Sequence, residues 1–229
     1  MQFVTLRTIV NDLLRIVRAS NVSSSETISL RQIEDWVHQY RGLLLKRDLD
    51  KGKKPNPDYI QEIGNVRLVP IELAGDNILE ERNTTGTVIY RTSLEIPKTI
   101  DLNFTSGFTY IGTPTGNRIQ LIPESRSEWQ RYKKYTADDK LCFLRNGYIF
   151  VINSEALEFI TVRGIFEVPS EVGRFVNPIT EQPYFDLDSK YPIPINLIPT
   201  LKEMILQKEL KIEVSSPTDN TNDAVNNPK

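Results

Sequence analysis

The chain's single histidine, His38, is the side chain best suited to proton transfer near neutral pH. It lies in the segment SLRQIEDWVHQYRGLLLKRDLDKG, with acids at Glu34 and Asp35. On a helical wheel His38 falls away from the apolar stripe, on the polar face near Glu34 and Arg41. A general base also needs a nucleophile or a reacting proton within reach, and no serine or cysteine motif accompanies this histidine. We therefore predict that His38 is a helix-surface residue and not a catalytic base.

Two acidic segments begin like a calcium-binding loop and then depart from it. In DLDKGKKPNPDY, Asp48 and Asp50 take the first and third ligand positions, but Tyr59 stands where the bidentate glutamate belongs. In FDLDSK, Lys190 falls on a ligand position. The glycines of GTPTGNR lack the lysine and the serine or threonine of a phosphate-binding loop. The sequence thus predicts no catalytic residue, no metal site and no cofactor, although an enzyme with carboxylates gathered from distant positions stays open as a third hypothesis.

The stretch EWQRYKKY is the strongest nucleic-acid signal, because it alternates aromatic and basic side chains. Stacking rings and cations of this kind can bind single-stranded nucleic acid. The overall charge gives no support, since 28 Lys and Arg against 30 Asp and Glu leave a net charge of -2. An amphipathic turn with its aromatics inward is the favoured interpretation. A nucleic-acid-binding accessory protein is kept as the alternative, using Trp129, Arg131, Tyr132, Lys133 and Lys134.

Composition places the chain among soluble globular proteins, with 229 residues of which 39% are hydrophobic and 25% charged. The longest apolar run, Tyr148 to Ile152, is far too short to cross a bilayer. The one cysteine, Cys142, excludes an internal disulfide framework and follows an apolar pattern typical of a buried thiol.

Hydrophobic periodicity divides the chain into three regions of an α+β fold. Residues 1–62 form a helical region, with helices over 4–19 and from a capping start at Ser29, and a short helix within PDYIQEI. Residues 63–170 form an antiparallel β-rich body. Residues 171–229 form a Pro-rich extended arm, a last helix begun by Pro199 and a polar tail that we predict to be disordered on its own.

The clearest local prediction is a hairpin in KLCFLRNGYIFVIN. Asn146 and Gly147 suit a two-residue type I′ turn, in which both residues take positive φ. Pairing outward from this turn places Phe143 opposite Phe150, and Leu141 opposite Ile152. Both faces of the hairpin are apolar, so it is expected either at the centre of the fold or beneath a partner.

Both ends of the chain resemble structural proteins of crAss-like bacteriophages. The helix of that family resembles Arg/Gln-x-Ile-x-x-Trp-x-x-x-Tyr-Arg-x-x-Leu, and the matching residues here are Arg31, Ile33, Trp36, Tyr40, Arg41 and Leu44. The C-terminal stretch YPIPINLIPTLKEMILQKELKIEVSSPTDNTNDAVNN is similar to the family's Pro-led helix and its Asp/Asn-rich end.

The resemblance implies a non-enzymatic virion subunit assembled in the host cytoplasm. It would form a homo-oligomeric ring, expected to be a dodecamer, in the head-to-tail connector below the portal through which DNA passes. Its implied partners are the portal protein, neighbouring ring or tail proteins and nearby genomic DNA, with no membrane. Residues expected in packing or at subunit interfaces are Trp36, Tyr40, Arg41, Phe143, Phe150, Tyr184, Phe185 and Tyr191, and those that could face DNA are Arg131, Lys133 and Lys134.

Overall fold

The computed structural model describes residues 3–19, 28–71, 89–103, 106–127, 139–153 and 157–210, together with Trp129 and Tyr135. Within these residues the protein has an α+β fold, as the sequence predicts. Its helices are α1 (Leu6–Ala19), α2 (Leu30–Asp50), α3 (Glu124–Ser127) and α4 (Ile198–Lys208). Its strands are β1 (Gln61–Pro70), β2 (Ile89–Thr92), β3 (Phe108–Gly112), β4 (Gln120–Leu121), β5 (Leu141–Arg145), β6 (Tyr148–Ile152) and β7 (Phe159–Gly164).

Helix α2 begins and ends where the sequence predicts. The Ser29 side chain accepts a hydrogen bond from the Gln32 backbone N–H at 3.1 Å, which satisfies one of the free donors of the first turn. After the helix, Gly52 adopts a φ of 78°, a left-handed conformation that closes it. The short helix predicted within PDYIQEI is wrong beyond Tyr59, because only Pro57–Tyr59 form a 3-10 turn and β1 starts at Gln61.

The strands form one sheet in the order β3-β7-β1-β2-β6-β5-β4. Every pairing is antiparallel except that of β4 with β5, so the prediction of an antiparallel body is wrong for that one pair. The long strand β1 pairs with β7 through its first half and with β2 through its second half. Between these halves Asn65 adopts a φ of 53° at an irregularity in the register, which bends the strand.

The two ends of the sheet order meet through the turn that joins β3 to β4. The Ile119 N–H donates to the Ile111 carbonyl at 2.8 Å, and Gly112 forms a bridge with Arg118. The chain then enters β4 and pairs with β5. The sheet therefore curls towards a barrel, and little of the β3 edge is left open in the described residues.

The β5–β6 hairpin has the predicted register, pair for pair, from Leu141 opposite Ile152 to Arg145 opposite Tyr148. Asn146 and Gly147 take φ values of 48° and 79°, as a type I′ turn requires. One face of the hairpin joins the main core, and the other carries Phe143 stacked on Phe150 with ring centroids 5.1 Å apart. Helices α1, α2 and α4 pack on one another and share that main core with the sheet.

The Pro-rich segment after β7 folds back onto its own chain and does not run as one extended arm. It starts with a 3-10 turn at Pro169–Arg174 and continues through a bridge between Val176 and Pro183. It then pairs Lys190 with Thr5, just before α1. The predicted disordered tail lies outside the described residues.

Candidate functional site

The buried face of α2 is wider than its apolar stripe and includes polar residues. It contains Ile33, Val37, His38, Tyr40, Arg41, Leu44, Leu45 and Asp48. His38 has only 6% of its surface exposed, so its prediction as a surface residue is wrong. The physical reason is that Tyr191 of the Pro-rich segment lies over this side of α2. Conversely Leu43, which continues the apolar stripe, is 49% exposed.

His38 joins three parts of the chain. Its Nδ1 lies 2.9 Å from the hydroxyl of Tyr191, and its Nε2 lies 3.4 Å from the hydroxyl of Ser170 in the 3-10 turn after β7. The two rings are tilted with centroids 5.8 Å apart. His38 therefore fixes the position of the Pro-rich segment on α2.

The environment of His38 suits a neutral ring and not a proton acceptor at neutral pH. Burial lowers its pKa from 6.5 to about 4, and the neighbouring Arg41 cation adds to the effect while Asp35 opposes it. A catalytic Ser-His pair would need a base that gains a proton readily and an acid behind it. Here Tyr191 takes the place of that acid, and burial raises the pKa of its hydroxyl. The arrangement is that of a structural hydrogen-bond network.

Arg41 is the central polar group of this site and is fully buried. Its Nε donates to the Pro192 carbonyl and its Nη1 to the Phe166 carbonyl, both at 2.8 Å. Its guanidinium also lies 5.8 Å from the centre of the Tyr191 ring. Burial lowers the pKa of Arg41 to about 10, and its Nη2 has no hydrogen-bond partner in the described part of the chain. A buried cation held by two backbone carbonyls fixes α2, the strand following β7 and the Pro-rich segment in one arrangement.

Tyr40 connects the same helix to the end of α4. Its hydroxyl donates to Glu209 Oε1 at 2.5 Å, and this bond, with burial, raises the pKa of Tyr40 to about 12. Trp36 is half-buried against the main core. Together with Arg41, these residues of the predicted motif line the interior of a single chain.

The remaining residues predicted for packing or interfaces also lie inside the chain or against its core. Phe185 and Tyr191 are buried in the main core, with Tyr184 half-buried beside them. Phe143 and Phe150 belong to a smaller cluster with Ile71 and Ile152.

Two neighbouring clefts open beside α2 and the segment that follows β2. The first, here called the α2 cleft, has a volume of about 340 Å³ and lies between α2 and that segment. Its lining includes Gln39, Leu43, Lys46, Lys98 and Ile100. The second, here called the β cleft, measures about 780 Å³ and is lined by residues such as Leu94's neighbour Glu95, Leu121 and Leu144. Both clefts are open to solvent and could receive side chains from another molecule.

The predicted DNA-facing residues Arg131, Lys133 and Lys134 lie outside the described residues. The aromatic residues on either side of them, Trp129 and Tyr135, are both exposed. The inward-facing aromatics expected in an amphipathic turn are therefore not found at these two positions.

Metal and membrane chemistry find no support in the described ranges. No group of three or more histidine, cysteine, aspartate and glutamate side chains there could hold a metal ion. No helix in the same ranges is long and apolar enough to cross a membrane. Cys142 is buried as predicted, and burial raises the pKa of its thiol to about 12.

Sequence reasoning missed the partners of His38 because they lie far along the chain. Tyr191 is 153 residues away and Ser170 is 132 residues away. The one signal that could have indicated a buried polar network is the sequence of His38 and Arg41 at a three-residue spacing, which places both on one side of a helix.

The chain was then compared with known proteins. The family described as phage tail ring protein 2 matches residues 8–228, which is nearly the whole chain. No curated protein matched it.

Proposed function

The chain belongs to the phage tail ring protein 2 family of crAss-like phages, and on that premise we propose that it forms one ring of the head-to-tail connector. A phage tail ring protein is a structural component of the virion and assembles as an oligomer with other tail components. The proposal adds that the ring is a homo-oligomer stacked below the portal, with its lumen on the path of the DNA. The match over residues 8–228 is the observation that carries it.

The buried network on α2 supports this function by making the subunit rigid. A ring closes only if every subunit keeps the same angle between its two contact surfaces. Arg41 and His38 hold α2, the region after β7 and the Pro-rich segment together through hydrogen bonds to Pro192, Phe166 and Tyr191. We propose that the motif residues act in this way, through packing inside the subunit.

The expected partners follow from the same proposal. We propose twelve copies in the ring, with the portal protein on one side and another ring or tail protein on the other. Large apolar side chains that the single chain leaves exposed are available for these contacts, and they include Phe3, Leu43, Leu94, Ile179 and Ile195. Such a subunit needs no catalytic group.

Contact with DNA is the second candidate function, and the exposure of Trp129 and Tyr135 favours it. Exposed rings on either side of Arg131, Lys133 and Lys134 could stack on bases or lie along a phosphate backbone. A titration with DNA at increasing salt tests it, because phosphate contacts weaken linearly in log–log form. If no binding occurs even at low salt, this candidate is removed.

Co-expression with the portal protein of the same phage genome tests the main proposal. We expect the two proteins to purify together and to give stacked rings in negative-stain images. The portal expressed alone is the control, because it fixes the diameter and height of a ring without this chain. Purification of the portal free of this chain, with no additional ring, would remove the proposal. A monomer when the chain is purified alone would not, because a ring subunit can require its template.

A further inference from the structure

A small hairpin projects from the Pro-rich segment, and its two legs are held together by backbone hydrogen bonds. We call residues 175–184 the arm hairpin. The Tyr184 N–H donates to the Phe175 carbonyl at 3.0 Å, and the Asn177 N–H donates to the Gln182 carbonyl at 2.9 Å. At the tip, the Glu181 N–H donates to the Asn177 carbonyl at 2.8 Å. The arm hairpin is therefore a defined projection and not an open loop.

The tip of the arm hairpin carries apolar side chains in water, whereas its base is buried. Ile179 is 84% exposed and Val176 is 54% exposed. Phe175 and Phe185, at the two ends of the base, are buried in the main core. A single exposed isoleucine is ordinary on a protein surface. An exposed isoleucine at the apex of an anchored hairpin has the form of a side chain that inserts into a partner.

The α2 cleft has the size and chemistry to receive this tip. Its volume of about 340 Å³ corresponds to roughly ten water molecules, which is enough for the Ile179 side chain and parts of its neighbours. Its lining is mostly apolar, with Gly42, Leu43 and Ile100 among the residues that form it. Leu43, half-exposed in the chain alone, would lose its contact with water when the cleft is filled.

Charge gives the two surfaces a specific complement. Glu181 stands beside Ile179 on the arm hairpin and is exposed, and Lys46 lies at the α2 cleft. In the described part of the chain, neither forms an ion pair, whereas the other lysine of the cleft, Lys98, already pairs with Glu167 at 3.0 Å. Seating Ile179 in the cleft would leave Glu181 within reach of an available cation.

We infer that the arm hairpin of one subunit inserts Ile179 into the α2 cleft of the next subunit around the ring. The exposure of Ile179 means that it does not fill the cleft of its own chain. A ring is built from heterologous contacts, in which one surface of a subunit meets a different surface of its neighbour. The arm hairpin and the α2 cleft are two such surfaces on one chain. This inference depends on the proposed ring.

Cysteine cross-linking in the assembled ring tests the contact directly. The chain offers a clean background, because its only cysteine, Cys142, is fully buried. Ile179→Cys combined with Leu43→Cys should give, after mild oxidation, a ladder of covalent multimers on a non-reducing gel. Each single variant should give no ladder, since the ladder requires both cysteines on every subunit. The matched control pairs Ile179→Cys with Leu144→Cys, because Leu144 is similarly exposed but lines the β cleft.

The results separate the inference from the proposed function on which it depends. A ladder from the Leu43 pair alone supports the contact. Rings that form normally but give a ladder from the Leu144 pair, or from neither pair, overturn the contact and leave the ring intact. Absence of rings from the unmodified chain with its portal overturns both.

Charge reversal provides an independent measurement of the same contact. Glu181→Lys and Lys46→Glu should each raise the protein concentration needed for ring formation by about threefold, as expected for one exposed ion pair. The double variant should return that concentration to the unmodified value, because the pair is restored with opposite polarity. Additive losses in the double variant would show that the two charges do not meet.

Discussion

Two charged or titratable side chains, His38 and Arg41, are buried on the same helix, and each is satisfied by groups that come from elsewhere in the chain. His38 faces the hydroxyls of Tyr191 and Ser170, and Arg41 donates to two backbone carbonyls. In a low-dielectric interior such bonds are strong when complete and costly when broken. At the scale of the residue, the account is that these groups stabilise one arrangement of the subunit and perform no chemistry.

The first prediction concerns the pH dependence of stability through His38. Its pKa falls from 6.5 in the unfolded chain to about 4 in the fold, so between these values the unfolded chain binds a proton that the folded chain does not. The free energy of unfolding should therefore decrease as the pH falls through this window, by about 3 kcal/mol from this residue. Urea unfolding at several pH values measures it.

His38→Gln is the matched control for that measurement. Glutamine can keep a hydrogen bond to the Tyr191 hydroxyl but does not titrate, so its variant should lack the part of the acid-dependent loss that His38 causes. The carboxylates contribute equally to both proteins. An identical pH dependence in the two proteins would contradict a buried neutral His38.

The second prediction concerns Arg41. Arg41→Met keeps an apolar stem but leaves the carbonyls of Phe166 and Pro192 without their donor, so we expect a loss of about 3 kcal/mol in the free energy of unfolding. Arg41→Lys should lose about half as much, because one ammonium replaces a fork of donors. Urea unfolding at neutral pH measures both variants. A methionine variant as stable as the unmodified chain would show that the cation contributes nothing net.

The sequence indicated these residues but not their environment. The motif residues Tyr40 and Arg41 are visible from spacing on a helix, because helical spacing is a local property. The burial of His38 is not, because it depends on Tyr191 meeting α2 from far along the chain. A helical wheel finds the apolar face, and it cannot find a second face that a distant segment covers.

At the scale of elements, structure that depends on short-range chemistry follows from the sequence. The Ser29 cap and the Asn146-Gly147 turn are where the residues predict them. The order of strands and the parallel pairing of β4 depend on contacts between distant segments, and no local pattern encodes them. The Pro-rich segment shows the same limit, because proline restricts φ but does not determine whether a segment extends outward or folds back.

The third prediction contrasts two glycines. Gly147→Ala should lower the free energy of unfolding by about 1–2 kcal/mol, because its φ of 79° is unfavourable for a side chain. Gly42→Ala should raise it by about 1 kcal/mol, because this glycine lies within α2 and an added Cβ meets no atom within 4 Å. Thermal unfolding followed by circular dichroism compares the two. Equal effects at both positions would contradict the assigned backbone conformations.

At the scale of the whole molecule, one continuous core unites residues from all three predicted regions. Leu6, Val162 and Leu201 all belong to it, so the helices, the sheet and the C-terminal segment form one packed unit. A single rigid unit with a projecting hairpin and open clefts is suited to repetition around an axis. The family match over residues 8–228 covers this whole unit.

A cryo-EM reconstruction of the neck of the virion that encodes this chain tests the central claim most directly. The account predicts a closed ring beside the portal whose symmetric density accepts one copy of this fold per asymmetric unit, with α2 against the curled sheet. A neck in which no rotationally closed layer accepts the fold would contradict it.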